Sequence, residues 1–237
     1  MILILASRWD TTAQDTAAAW SDRAVRVMTA RDLSRAGWSL RVGNPDDAVR
    51  RDCAVIEGQP IAEEEIQGVL IRLPWVTEVE LPEIVPPDRA YVAAEMSAFL
   101  LFWLSGLACP VLNKPTPTCL SGPSWRPERW ALAAAETGMT VHAVQRDSRA
   151  KRAPVDFAPS TPITVVGSQV FGEADPDLKK RTRLLAELAH VSLLAVRFRG
   201  AERGAEFLGA DALPSLDDQS VLAAVLEHLA CGSSLRT

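Results

Sequence analysis

Three polar residues stand where an α/β sheet would let side chains meet a ligand. Arg72 follows the strand-like run Gly68-Val69-Leu70-Ile71, Glu95 lies early in a long apolar helix, and Asn113 ends the short run Val111-Leu112. Ligands of open α/β sheets occupy the crevice beyond the carboxyl ends of the strands, so Arg72, Glu95 and Asn113 are the candidate ligand-binding set. The plainer reading is that Arg72 and Glu95 form a buried structural ion pair and Asn113 caps a turn, because a buried charge needs a partner whether or not a ligand visits. Cys119, in a proline-rich loop, has the atom type of a nucleophile but no histidine in a shared motif to activate it, and reads as inert. Cys53, Cys109, Cys119 and Cys231 are widely spaced, and His142, His190 and His228 do not flank them. That spacing matches no zinc signature, so no metal site and no catalytic residue is assigned and the thiols are expected to be reduced. Of seven tryptophans, Trp103 belongs in the core, whereas Trp75, Trp125 and Trp130 adjoin loops near the expected crevice. Exposed tryptophans mark binding surfaces, so these three are the candidate contacts for a peptide or partner protein, with inter-domain packing as the competing role.

The elements that would position these residues follow from hydrophobic pattern. The chain has 237 residues, 48% hydrophobic and 23% charged, with a formal net charge of −5. It can bury a substantial core, and its acidity excludes a non-specific nucleic-acid binder, whose affinity comes from phosphate neutralisation. The basic cluster from Arg146 to Arg152 is short and reads as a solvated loop. The apolar stretch Ala93 to Val111 contains Glu95, Ser97, Ser105 and Gly106 and breaks at Pro110. It is expected to be a core helix rather than a membrane span, packed on nearly all sides. With no basic leader before Ile2, a cytoplasmic location is expected.

Strands are predicted at Ile2–Ala6, Ala24–Met28, Gly68–Leu73, Val111–Asn113 and Met139–Val144, with helices at Thr11–Trp20, from Asp88 onward and from Pro127 to Thr137. Thr29 to Asp32 approximates a capping box. Trp38–Val42 and Asp52–Glu57 are expected to pair across Gly43-Asn44-Pro45-Asp46-Asp47. This alternation predicts an α/β layer structure with a mainly parallel sheet. The polar, proline-containing 145–161 is expected to be a linker between a domain at 1–144 and a second at 162–237. In the second, Ile163–Val166 and Gln169–Phe171 form a hairpin and Asp175-Pro176 opens a helix. Leu193–Phe198 pairs with the run from Glu206, and Asp217–Leu229 is a closing amphipathic helix suited to homodimerisation.

Several of these pieces resemble the ATP-grasp maturases of ribosomal peptides, of the microviridin or graspetide type. The strand Met1–Ala6 runs into Asp10-Thr11-Thr12-Ala13, similar to that family's Asp-x-Thr-Ala helix entry. Gly68-Val69-Leu70-Ile71-Arg72-Leu73-Pro74 resembles its Tyr-Arg-Arg-Pro strand and Ala94-Glu95 its Glu-Ala helix. Leu112-Asn113-Lys114-Pro115 resembles its Asn-x-Pro strand end, and Trp125 to Trp130 its Lys-Pro-x-Gln-Leu helix start, with Arg126 in place of lysine. The resemblance implies a pre-ATP-grasp-like Rossmannoid N-terminal α/β domain. After it would come a small α+β remnant of the ATP-grasp C-terminal subdomain.

The departures are informative. In the resembled ligases an aspartate on one strand and a Leu-Glu-x-Asn pattern on the next hold magnesium on ATP; here the matching positions are Arg197, Gly209 and Asp211. Magnesium requires hard oxygen donors, which neither glycine nor arginine supplies. The short stretch from Met139 to Ile163 leaves no room for the family's lid. The chain has only Lys114, Lys151, Lys179 and Lys180, none beside the glycine-rich loop that cradles phosphates. The expectation is therefore a non-catalytic, ATP-grasp-like pseudoenzyme of peptide natural-product biosynthesis that binds a peptide or partner protein and uses no cofactor. The alternative is a minimal ATP-dependent carboxylate-amine ligase acting on a peptide or amino acid, which would require ATP and magnesium. A small-molecule sensor is a third, weaker reading.

Overall fold

The computed structural model describes residues 1–40, 52–142 and 160–231. The chain divides into two compact units, one of Met1–Gly122 with Ser215–Thr237 and one of Pro123–Pro214. The division thus falls at residues 122/123 and 214/215. The expected linker at 145–161 lies almost wholly outside the described residues, as do the basic cluster at Arg146–Arg152 and the loop Gly43–Asp47.

The first unit is built on four parallel strands, β1 (Ile2–Leu5), β2 (Val25–Met28), β5 (Gly68–Ile71) and β6 (Val111–Leu112), in the order β2-β1-β5-β6. β1 and β5 are buried at every residue, as continuous apolar runs covered on both faces must be. One face, carrying Leu3, Leu5, Val69 and Ile71, packs on α3 (Arg89–Gly106) through Ala93, Leu100, Trp103 and Leu104. On the other face, α6 (Gln219–Cys231) lies so close to β5 that a Cβ on Gly68 would stand 2.6 Å from the Leu229 carbonyl oxygen. Glycine at 68 is therefore a packing requirement. The closing helix, expected in the second domain, returns to this one, with Val225 and Leu229 fully buried.

Local chemistry starts the helices as expected. Asp10 caps α1 (Thr11–Ala19), its Oδ1 accepting the Ala13 amide at 3.1 Å. Thr29 and Asp32 form the capping box of α2 (Ala30–Leu33), and Asp32 also accepts the Gly58 amide at 2.9 Å. That last bond locates a correction. The partner of β3 (Cys53–Ile56) is β4 (Gln59–Ala62), joined by Glu57 and Gly58, both at positive φ, as a two-residue hairpin turn demands. From the expected Trp38–Val42 strand, Ser39 contributes one isolated bridge to Cys53, while residues 41 and 42 are outside the described chain. Pro60 hid β4, since a proline is tolerated only in an edge strand or bulge. A second correction concerns α3: Tyr91 and Phe102 are 69% and 55% exposed, so it is not packed on all sides.

The second unit is a five-stranded sheet in the order β7-β11-β10-β8-β9. Its strands are β7 (Thr140–Val141), β8 (Thr161–Val166), β9 (Gln169–Phe171), β10 (Leu193–Arg199) and β11 (Glu206–Asp211), antiparallel except for β7 with β11. Met139–Val144 was expected in the first domain's parallel sheet; instead Thr140 and Val141 pair with Glu206 and Phe207, and residues 143 and 144 are not described. One face, with Ile163, Val165, Leu194, Val196, Phe198 and Phe207, is covered by α4 (Pro127–Glu136) and α5 (Pro176–Leu188). Among the described residues no helix is long and apolar enough to cross a membrane.

Candidate functional site

In the first unit the chain leaves β1 for β2 on one side and returns to β5 on the other, which makes the carboxyl ends of β1 and β5 the topological switch point. Arg72 emerges there, its amide donating to the Leu5 carbonyl at 2.7 Å. Its guanidinium does not meet Glu95. Arg72 Nε donates to Asp10 Oδ2 at 2.8 Å, with side-chain exposures of 9% and 15%. The two oxygens of Asp10 thus divide their work, one capping α1 and one holding Arg72. Glu95 is exposed on α3 and lines a separate cavity. Asn113 is buried at the end of β6. Sequence reasoning missed two further members of this crevice: the Ser7 hydroxyl donates to Oε1 of the buried Glu80 and accepts the Trp9 amide at 3.2 Å. Asp10 was legible as a helix cap, but nothing in its neighbours announces a partner at Arg72.

The loop after Asn113 is ordered by its own backbone. Thr116 and Cys119 exchange amide-carbonyl bonds of 2.8 and 3.1 Å around Pro117, and Leu120 donates to the Pro74 carbonyl at 2.7 Å. Against α3 this loop encloses a cavity of about 320 Å³ lined by Trp75, Ala94, Ser97, Leu101, Pro117 and Cys119, among others. Cys119 is buried, its sulfur 3.4 Å from the Ser121 hydroxyl. Among the described residues no group of three His, Cys, Asp or Glu side chains could hold a metal ion. His142 pairs through Nδ1 with Glu206 at 2.8 Å, and His190 occupies the left-handed turn ending α5. His228 is half-buried in α6, and burial lowers its pKa.

The tryptophan set divides. Trp75 is 47% exposed. Trp125 is half-buried in the second unit, its ring 4.7 Å from that of Trp130 and under the Arg129 guanidinium at 4.8 Å. Trp130 is 5% exposed and is a core residue, which removes it from any surface and corrects its assignment as a partner contact.

On the face of the second sheet opposite α4 and α5, Arg197 pairs with Gly209 across β10 and β11, and Arg199 with Glu206, where Nε and Oε2 are 3.2 Å apart. The register shifts beside this pair, leaving Leu208 as a bulge. Among the described residues, the only neighbour within 4 Å of a Cβ placed on Gly209 would be Arg197 Nη2, at 3.7 Å. Among the described residues no hydrogen bond or ion pair engages the Arg197 guanidinium. Asp211 is exposed and its Oδ1 accepts the Leu213 amide at 2.8 Å. One carboxylate beside a free guanidinium is a poor donor set for magnesium, which takes one or two carboxylates in near-octahedral array.

This architecture, a parallel α/β unit followed by a mixed sheet, is the fold of RiPP-associated ATP-grasp ligases. The chain superposes on the macrocyclase MdnC of Microcystis aeruginosa MRC, bound to its precursor peptide MdnA, with a TM-score of 0.69 at 11% identity over 96% of this chain and 98% of that one. For the ATP-grasp ligase PsnB complexed with a minimal precursor the values are 0.66, 10%, 98% and 98%. For the RiPP-associated ligase of Chryseobacterium gregarium, in complex with ADP and a leader and core peptide, they are 0.64, 11%, 97% and 96%. No protein-family model and no curated protein matches the sequence.

Proposed function

We propose that the chain is a non-catalytic relative of the RiPP-associated ligases that binds a peptide in ribosomal peptide biosynthesis and needs neither ATP nor magnesium to do so. The observation carrying the non-catalytic part is the Arg197–Gly209 pair. At the strand pair where the resembled ligases hold magnesium on ATP, this chain presents a cation over bare backbone. The peptide part is supported by the fold shared with MdnC and PsnB, both of which were captured with precursor peptides. In the first unit Arg72 and Asn113, at the strand ends, and the exposed ring of Trp75 would hold such a peptide; in the second unit the half-buried ring of Trp125 is a separate candidate contact.

Binding to the folded state raises the melting temperature by mass action, which gives a direct test. Melting the protein with and without Mg-ATP should give superimposable transitions. Short peptides encoded beside its gene should raise the transition temperature, and Trp125→Ala should abolish that rise as measured from the variant's own unliganded melt. A Mg-ATP shift that disappears on chelation would instead establish the minimal carboxylate-amine ligase.

A further inference from the structure

Beside the apolar ridge that α3 turns to solvent through Tyr91, Ala98 and Phe102 lies a cavity of about 460 Å³, formed where the turn after α2 meets that helix. Its walls are apolar: Leu33, Trp38, Met96 and Phe99, each half-buried. The aromatic wall is fixed by contacts of its own. Trp38 donates its ring N–H to the Asp32 carbonyl at 3.0 Å, and its ring stands edge to face against Phe99 and Trp103, with centroids 5.0 and 5.3 Å away. Gly37 keeps the turn in place, since it has a φ of +125° and a Cβ there would come within 2.8 Å of Pro60 on β4. Two opposite charges line the same cavity, Arg35 from the turn and Glu95 from α3, both exposed. Among the described residues neither side chain makes a hydrogen bond or an ion pair, so the two do not neutralise each other.

We infer that this cavity binds a free α-amino acid with a large apolar side chain, its carboxylate on Arg35 and its ammonium on Glu95. Small-molecule sites are mostly apolar hollows of roughly 300–1,000 Å³ in which a few polar groups fix orientation, and this cavity has that size and composition. Opposite charges that line one hollow without pairing call for a solute carrying both signs. An α-amino acid carries them on a single carbon, so it bridges two groups that stop short of each other. The guanidinium fork matches a carboxylate through parallel N–H···O bonds, and a side-chain carboxylate accepts from an ammonium; both contacts are charge-assisted. The ligand's side chain then lies against Leu33, Met96 and the rings of Trp38 and Phe99, where each buried methylene adds affinity. An apolar acid would be opposed by Glu95, and an apolar amine by Arg35. A residue inside a peptide carries neither charge on its backbone, so the site differs in kind from the strand-end crevice and does not depend on the peptide reading. Glu95, expected beside Arg72, thereby keeps a ligand but at a different place.

Isothermal titration calorimetry of the full chain with L-phenylalanine and L-leucine tests it. Both should bind saturably, at one site per chain. N-acetyl-L-phenylalanine, which lacks the ammonium, and L-phenylalaninamide, which lacks the carboxylate, should each bind about tenfold more weakly or worse, the scale of one charge-assisted contact. Glycine should give no heat of binding. In Arg35→Ala the affinity for L-phenylalanine should fall to that for its amide, and in Glu95→Gln to that for its acetyl derivative. Both side chains are exposed and without partners among the described residues, so the variants should melt with the unaltered chain, and the two derivatives probe the same contacts with no substitution at all. Absence of saturable binding by both amino acids would overturn the inference. Equal affinity for L-phenylalanine and either derivative in the unaltered chain, binding of glycine as tight as that of L-phenylalanine, or a preference for free L-phenylalanine that survives both substitutions would overturn it as well. A peptide-induced rise in melting temperature without amino-acid binding would refute this site alone.

Discussion

Two arginines, one in each unit, stand near strand ends and are treated in opposite ways. Arg72 is nearly buried, held by a carboxylate that also caps the first helix, and in the same unit the Ser7 hydroxyl donates to the buried Glu80. Arg197 is exposed on its sheet beside a glycine, and no described residue engages its guanidinium. In the first unit charge is consumed by architecture, because a buried guanidinium without a counter-charge is strongly destabilising. In the second the guanidinium is already solvated, so the fold asks nothing of it and leaves it available to a solute. The contrast separates a residue retained for stability from one whose identity alters what the surface can bind.

The sharpest way to break this comparison is Asp10→Ala. It removes both the cap of α1 and the carboxylate on Arg72, and should cost about 3 kcal/mol, the range for breaking a buried ion pair, read from denaturant unfolding with an unchanged slope. Arg197→Ala should move stability by no more than about 0.5 kcal/mol, as surface substitutions do; a loss comparable with that of Asp10→Ala would erase the distinction. The same face can be sharpened by supplying oxygen donors. Gly209 has room for a side chain, so Arg197→Asp combined with Gly209→Glu should gain a magnesium-dependent rise in melting temperature that the unaltered chain lacks.

The smallest expected effect concerns His228. Burial lowers its pKa in the folded protein, so below the unfolded value of about 6.5 the unfolded chain binds a proton that the folded chain resists. Stability from this group is complete above that pH and declines as pH falls towards the folded pKa. His228→Gln should flatten that decline in melts taken across the window.

Much of the fold was legible because the signals are local. The continuous apolar runs of β1 and β5, the Asp10 and Asp175 caps and the Thr29 capping box all act within a few residues of themselves. The misreadings have nonlocal causes. Thr140 and Val141 look like any short strand, and only the edge offered by β11 decided which sheet they join. The hairpin β3–β4 was hidden by Pro60 although Glu57-Gly58 marked its turn. Of the candidate site, Arg72 and Asn113 were found at strand ends. The pairing of Arg72 with Glu95 was not, since helical phase relative to the sheet depends on how α3 packs.

By itself the sequence determined most of the strands and the helix caps, the presence of arginine and glycine at positions 197 and 209, and the resemblance in order and spacing to the ligases whose fold this chain shares. The tertiary structure alone decided that Asp10 holds Arg72, that α6 closes the first unit against Gly68, that Trp130 is core, and that α3 keeps an apolar ridge in water. The reason is physical. Propensity, capping and donor chemistry belong to residues close in sequence, whereas ion-pair choice, helix phase and exposure are set by contacts between segments far apart along the chain, and these exist only once it has folded.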